Sequence, residues 1–147
     1  MGNSQNQKVN MQALMDLIPS QQRQKINESF IDEELQLLYQ IFEDLRVRSK
    51  GYCGIDRDVF VKFCPIPGLW GHRIFNKMKN FSNDDYISFE EFIESLRLFC
   101  RSNNSELDDH IFKIFDLGNT NTIDEEELQM MLINFPDIGF SNSQNIN

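Results

Sequence analysis

The chain has 147 residues, with 14 Lys and Arg against 23 Asp and Glu and a net charge of −9. A chain of this length buries roughly 70% of its unfolded surface, so it needs no disulfide staples, and its negative balance argues against nucleic acid, whose affinity rests on neutralising phosphates. No apolar run reaches the ~18 residues of a membrane span, and the start has no apolar leader core, so an intracellular chain, cytoplasmic or cytoskeleton-associated, is expected.

The opening MGNSQN has the form of an acylation signal at Gly2, incomplete because Asn6 stands where Ser or Thr is favoured. Membrane contact is expected only if Gly2 is acylated, and one acyl chain gives marginal, reversible binding. In chain order, Met11, Leu14, Met15 and Ile18 make a short apolar stripe before Pro19. Leu35, Leu38, Tyr39, Phe42 and Leu45 then follow the i, i+3, i+4, i+7 spacing of a long amphipathic helix. Asp32 is placed to cap it, with Glu33 and Glu34 in the first turn, where the helix dipole favours negative charge. Cys53, Cys64 and Cys100 are an odd number with no CxxC spacing, which predicts free thiols.

Phe89, Phe92, Ile93, Leu96 and Phe99 make another helical stripe, and Leu107, Ile111, Phe112 and Phe115 the next. Leu128, Met131, Leu132 and Phe135 make the last, which Pro136 stops. The only strand-like pieces are Gly54-Ile55-Asp56, Tyr86-Ile87-Ser88 and Thr122-Ile123-Asp124. The fold class is therefore all-α, with polar ends at 1–10 and 137–147. His72 and His110 are far apart in sequence on polar stretches, and there is no phosphate loop, nucleophile elbow or zinc spacing, so no enzyme is expected. Trp70 is expected to pack on the first lobe, with the rim of a target groove as its alternative place, and the methionines are expected in the core.

The three isoleucine triplets share a frame. Each is followed by a helix carrying Phe60, Phe92 or Leu128 five positions on, and two have Glu91 or Glu127 four positions on. This resembles the EF-hand, a helix, a twelve-residue ion loop and a second helix, in which a branched apolar residue pairs two loops and a final glutamate grips calcium. SFIDEELQLLYQIFEDL (29–45), GIDRDVFVKFCPIPGLWGHRIFNKM (54–78) and ISFEEFIESLRLFCRSNNSELDDHIFKIFD (87–116) resemble the calcineurin B-like group, which includes neuronal calcium sensors and calcium- and integrin-binding proteins. The likeness covers about residues 29–133. It implies a pair of degenerate hands over 29–101 and a third hand over 102–136, preceded by an extension over 1–28 with one short helix and followed by a tail over 137–147.

By the same resemblance, the third loop runs from Asp116 to Glu127 and offers a calcium set of Asp116, Thr120, the Thr122 carbonyl, Asp124 and Glu127. Gly118 supplies no side chain at the third loop position, and Asn121 stands at the sixth, where the backbone turns through positive φ. At most one weak site is expected. The second loop, Asn80 to Glu91, has Asn80 and Ser82 in place of acids, and the first has Arg48, Lys50 and Val59 at ligand positions. Both are expected to be inert, with Ile55 pairing with Ile87 and Phe42 and Phe60 packing the lobe.

Relatives of this type have four hands, and the sequence carries three. The third hand is expected to lack a mate in the chain and to expose Phe112, Phe115, Leu128, Met131 and Leu132, with the stripe Met11–Ile18 as a rival cover. Such a face is a docking surface for a protein partner or a second copy of the chain. Two functions follow from the resemblance: a calcium-responsive regulatory subunit, or a calcium-independent structural adaptor that keeps the fold for docking.

Overall fold

The structure, a computed structural model, describes residues 10–50, 53–66, 68–79 and 85–134. The described residues form eight helices and one two-stranded sheet. Helix α1 (Met11–Asp16) starts where the Asn10 side chain accepts a hydrogen bond from the Gln12 amide at 3.0 Å. Pro19 ends the stripe and directly precedes α2 (Ser20–Ser29). The apolar spacing does not announce α2, because Ile26 is its only apolar residue. Helix α3 (Asp32–Arg48) carries the expected long stripe. Asp32 is its first residue and not its cap; the Glu34 carboxylate reaches back to accept from the Ile31 amide at 3.1 Å.

The chain continues through β1 (Ile55–Asp56), α4 (Arg57–Phe63), α5 (Leu69–Met78), β2 (Tyr86–Ile87), α6 (Phe89–Arg101), α7 (Asn104–Phe115) and α8 (Glu125–Asn134). Strands β1 and β2 pair antiparallel, with Ile55 opposite Ile87 and Asp56 opposite Tyr86. Both isoleucines are fully buried. The triplet around Ile123 forms no strand among the described residues, and Ile123 is exposed.

The core gathers around this short ladder. Phe42, Phe60, Phe75, Phe89 and Phe92 are buried beside it, and Tyr39, Phe42 and Phe89 meet with ring centroids 5.2 to 6.5 Å apart. Burying each side chain of this size stabilises by about 1.5–3 kcal/mol, and edge-on ring contacts add to that. Leu14, Ile18 and Ile26 enter the same cluster. The N-terminal stripe therefore does not cover α7 and α8, because α2 lies along α6 and brings both N-terminal helices onto the core around the ladder.

Beyond the ladder, α6 leads into α7 through a nearly buried Arg97. Its guanidinium holds Glu94 at 2.8 Å on α6 and Glu106 at 3.4 Å on α7. Helix α7 turns His110 and Ile114 inward, not Ile111, which is exposed. The predicted stripe is thus rotated: α7 packs against both α5 and α6, and the inward face is set by those two neighbours. His110 lies edge-on to Phe99 with centroids 5.0 Å apart, so it is not the polar-surface histidine that its neighbours in sequence suggest. Cys53, Cys64 and Cys100 are free thiols, and no helix among the described residues is long and apolar enough to cross a membrane.

Candidate functional site

The three isoleucine turns open their following helices in related ways. Asp56 accepts from the Val59 amide at 2.8 Å, and Ser88 accepts from the Glu91 amide at 3.3 Å. In the third, Asp124 accepts from the Glu127 amide at 2.8 Å. In the second and third turns the glutamate answers: Glu91 accepts from the Ser88 amide at 2.9 Å, and Glu127 accepts from the Asp124 amide at 3.1 Å. These are reciprocal capping boxes, which satisfy two amides that a helix start otherwise leaves open. The glutamates four residues after Ile87 and Ile123 therefore have a local reason to be there, independent of any ion.

The third turn is the fullest. Asp116 ends α7, is buried, and accepts from the amides of Thr120 and Asn121, both at 2.9 Å. Burial raises the Asp116 pKa, but those two amides, the Lys77 ammonium and the Asn119 amide outweigh it and hold the carboxyl below the ordinary range. Glu127, also buried, spreads its two oxygens across the loop: one accepts from Gly118 at 2.8 Å and the other from Asp124. Thr120 Oγ1 lies 3.1 Å from the Thr122 carbonyl and 2.9 Å from Thr122 Oγ1. Asn121 has φ 60° and Asn119 φ 53°, left-handed conformations that asparagine tolerates better than most residues.

Basic side chains from α5 fasten this loop to the first lobe. The Arg73 guanidinium donates to the carbonyls of Ile114 at 3.1 Å, Lys113 at 3.3 Å and Asp116 at 2.6 Å, which are open acceptors at the end of α7. Lys77 Nζ donates to Asn119 Oδ1 at 3.0 Å. Burial, then the charge of Arg73, lower the Lys77 pKa, while Asp116 pulls it the other way. Trp70, almost fully buried, meets Phe115 edge-on at 4.9 Å. Trp70 thus joins α5 to the end of α7, a place that the residues around it in sequence do not reveal.

The expected calcium set is brought into one loop, with Asp116 and Glu127 both hydrogen-bonded to its amides. Among the described residues no group of three or more His, Cys, Asp or Glu side chains is arranged to hold a metal ion. Asp116 and Glu127 each already accept two loop amides, and Asp124 caps α8. Each carboxylate has about four acceptor sites, so these amide bonds orient Asp116 and Glu127 and leave lone pairs on both. At the first turn, Arg48 ends α3 and Lys50 follows it, and the Lys50 amide donates to Asp56 at 2.9 Å. Residues 80–84 of the second loop lie outside the described residues, as does Gly2.

The expected docking face is only partly open. Phe115 lies against Trp70, and Phe112 and Met131 are half-buried. The open part is the outer side of α8, where Leu128 is 49%, Leu132 73% and Ile133 76% exposed. Ile133 was absent from the expected set because its spacing places it off the predicted stripe. No protein-family profile matches the chain, nor does any curated protein or solved structure.

Proposed function

We propose that the chain is a degenerate EF-hand module of the calcineurin B-like kind, which docks a protein partner through its third hand and does so without calcium. The observation that carries this reading is the antiparallel pairing of Ile55 with Ile87 between two helix–turn–helix units. The capped helix start after each isoleucine supports it, as does the exposed Ile123, which repeats the position with no strand mate among the described residues. The open apolar side of α8 is the docking face. The loop has a structural role: Asp116 and Glu127 tie its amides together and hold α7 and α8 in place.

The rival reading is a calcium-responsive regulatory subunit with one weak site at Asp116, Thr120, Thr122, Asp124 and Glu127. What favours it is the presence of three carboxylates in one twelve-residue loop, two of them buried. Calorimetric titration separates the two. The expected result is no heat and no chemical-shift change in the loop at millimolar calcium. A response that disappears in Glu127→Gln selects the regulatory subunit. Docking is checked by co-purification from native material, with Leu132→Asp and Ile133→Asp together expected to abolish it; a partner retained by that variant removes α8 as the face.

A further inference from the structure

Charge is distributed unevenly along this acidic chain. From Arg46 to Lys79 there are eight Lys and Arg against Asp56 and Asp58 alone. From Ile114 onward there is no Lys or Arg, while Asp116, Asp124, Glu125, Glu126, Glu127 and Asp137 are all acidic. Each region presents apolar surface. In the basic region, α3 and α4 enclose a groove of about 470 Å³ lined by Leu45, Arg48, Val59, Lys62 and Phe63. Phe63 is 53% exposed, and Arg48 and Lys62 are exposed with no acidic partner among the described residues. Lys50 nearby does have one, Asp58 at 3.5 Å.

In the acidic region, the outer side of α8 carries Leu128, Leu132 and Ile133 behind exposed Glu125 and Glu126 in its first turn. Helix α8 is not part of the principal packings of α3 or α4 in the same chain. The two surfaces are complementary in kind: an apolar helix with an acidic start, and an apolar groove with two unpaired cations. We propose that α8 of one copy seats in the α3–α4 groove of a second copy, joining chains head to tail. A face-to-face pairing of two α8 helices would set acid against acid, which like-charge repulsion disfavours. A contact between two different patches is heterologous, so it closes into a ring or grows into an open chain.

This inference names the partner for the α8 face of the docking reading and is independent of ion binding. The single helix and small groove give a weak contact, and its charges are exposed, so salt screens it. Sedimentation of the full chain from micromolar to near-millimolar concentration tests it. The mass is expected to rise with concentration at low salt and return to the monomer at high salt. Arg48→Glu with Lys62→Glu, and separately Glu125→Lys with Glu126→Lys, are each expected to weaken association by about tenfold or more. All four positions are exposed, and circular dichroism checks that helix content is unchanged.

Mixing the two reversed variants restores association, because each then offers the other's complement. A monomer at every concentration overturns the inference. So does a dimer that persists in both reversed variants, which marks a face-to-face contact instead. Neither result touches the docking of a different protein, which co-purification tests separately.

Discussion

Gly54 sits where a methyl group has no room. A Cβ there would lie 2.3 Å from the Ile87 carbonyl oxygen and 2.4 Å from a Tyr86 ring carbon, across the ladder. Gly54→Ala must therefore push β1 from β2, and is expected to destabilise the fold by about 1–3 kcal/mol in urea unfolding. A neutral result would mean that the ladder is not the fixed centre of the lobe. His110 gives a pH signature at the same scale. Burial first, then the charge of Lys113, lower its pKa, while Asp109 acts in the opposite sense; Lys77 and Glu94 follow. The unfolded chain binds this proton at about pH 6.5, and the folded chain only at lower pH. Stability from neutral His110 is thus complete above about pH 6.5 and is lost as pH falls through the folded value. Glu90, raised chiefly by burial, changes stability in the opposite direction, so the difference from His110→Leu isolates the histidine. The expected outcome is a flatter urea midpoint between about pH 7.5 and 5.5 in His110→Leu. Equal slopes in the two proteins would refute it.

At the scale of elements, α5 joins α4 to α7 by packing against both. Arg73 satisfies carbonyls that the last turn of α7 leaves open, and hydrogen bonds to a charged donor are worth about 1.5–3 kcal/mol each at most. The site is part-buried, so solvent reduces that figure. Arg73→Ala is expected to raise hydrogen exchange in the loop 116–124 while leaving the amides of Ile55 and Ile87 protected. Loss of protection in both together would show one cooperative unit. Asp124→Ala removes the cap of α8 and is expected to cost about 1 kcal/mol, read as faster exchange in α8 alone.

Across the whole molecule, the N-terminal helices belong to the core of the first lobe. Leu14 and Ile26 are essentially inaccessible and contribute to the same cluster as Phe42 and Ile87. Leu14→Ala and Ile26→Ala are each expected to lower global stability by about 2–5 kcal/mol, since each leaves a cavity in a packed interior. If urea unfolding of either variant matched the parent, α1 and α2 would be a detachable extension. The unit of α7, its loop and α8 is held differently, by Trp70, Arg73 and Lys77 at one end, with α8 largely unpacked at the other. That asymmetry leaves an apolar surface open on one side of an otherwise buried fold.

The sequence by itself determined the helices with regular apolar spacing, whereas the pairing of Ile55 with Ile87 and the left-handed turn at Asn121 were expected only through the resemblance that the isoleucine-centred repeats carry. Apolar spacing is a local pattern, so α3 and α6 follow from it directly, and the structure has both the ladder and the positive φ that the resemblance implied. Tertiary structure alone decided the rest. Helix α2 has one apolar residue, so only its packing against α6 explains it. The inward face of α7 was set by α5 and α6 and not by its own stripe, which is why His110 is buried and Ile111 is not. The acids of the third loop were legible as candidates, but their use was not. Which amide a carboxylate meets depends on where the loop amides point, and spacing along a chain does not carry that direction.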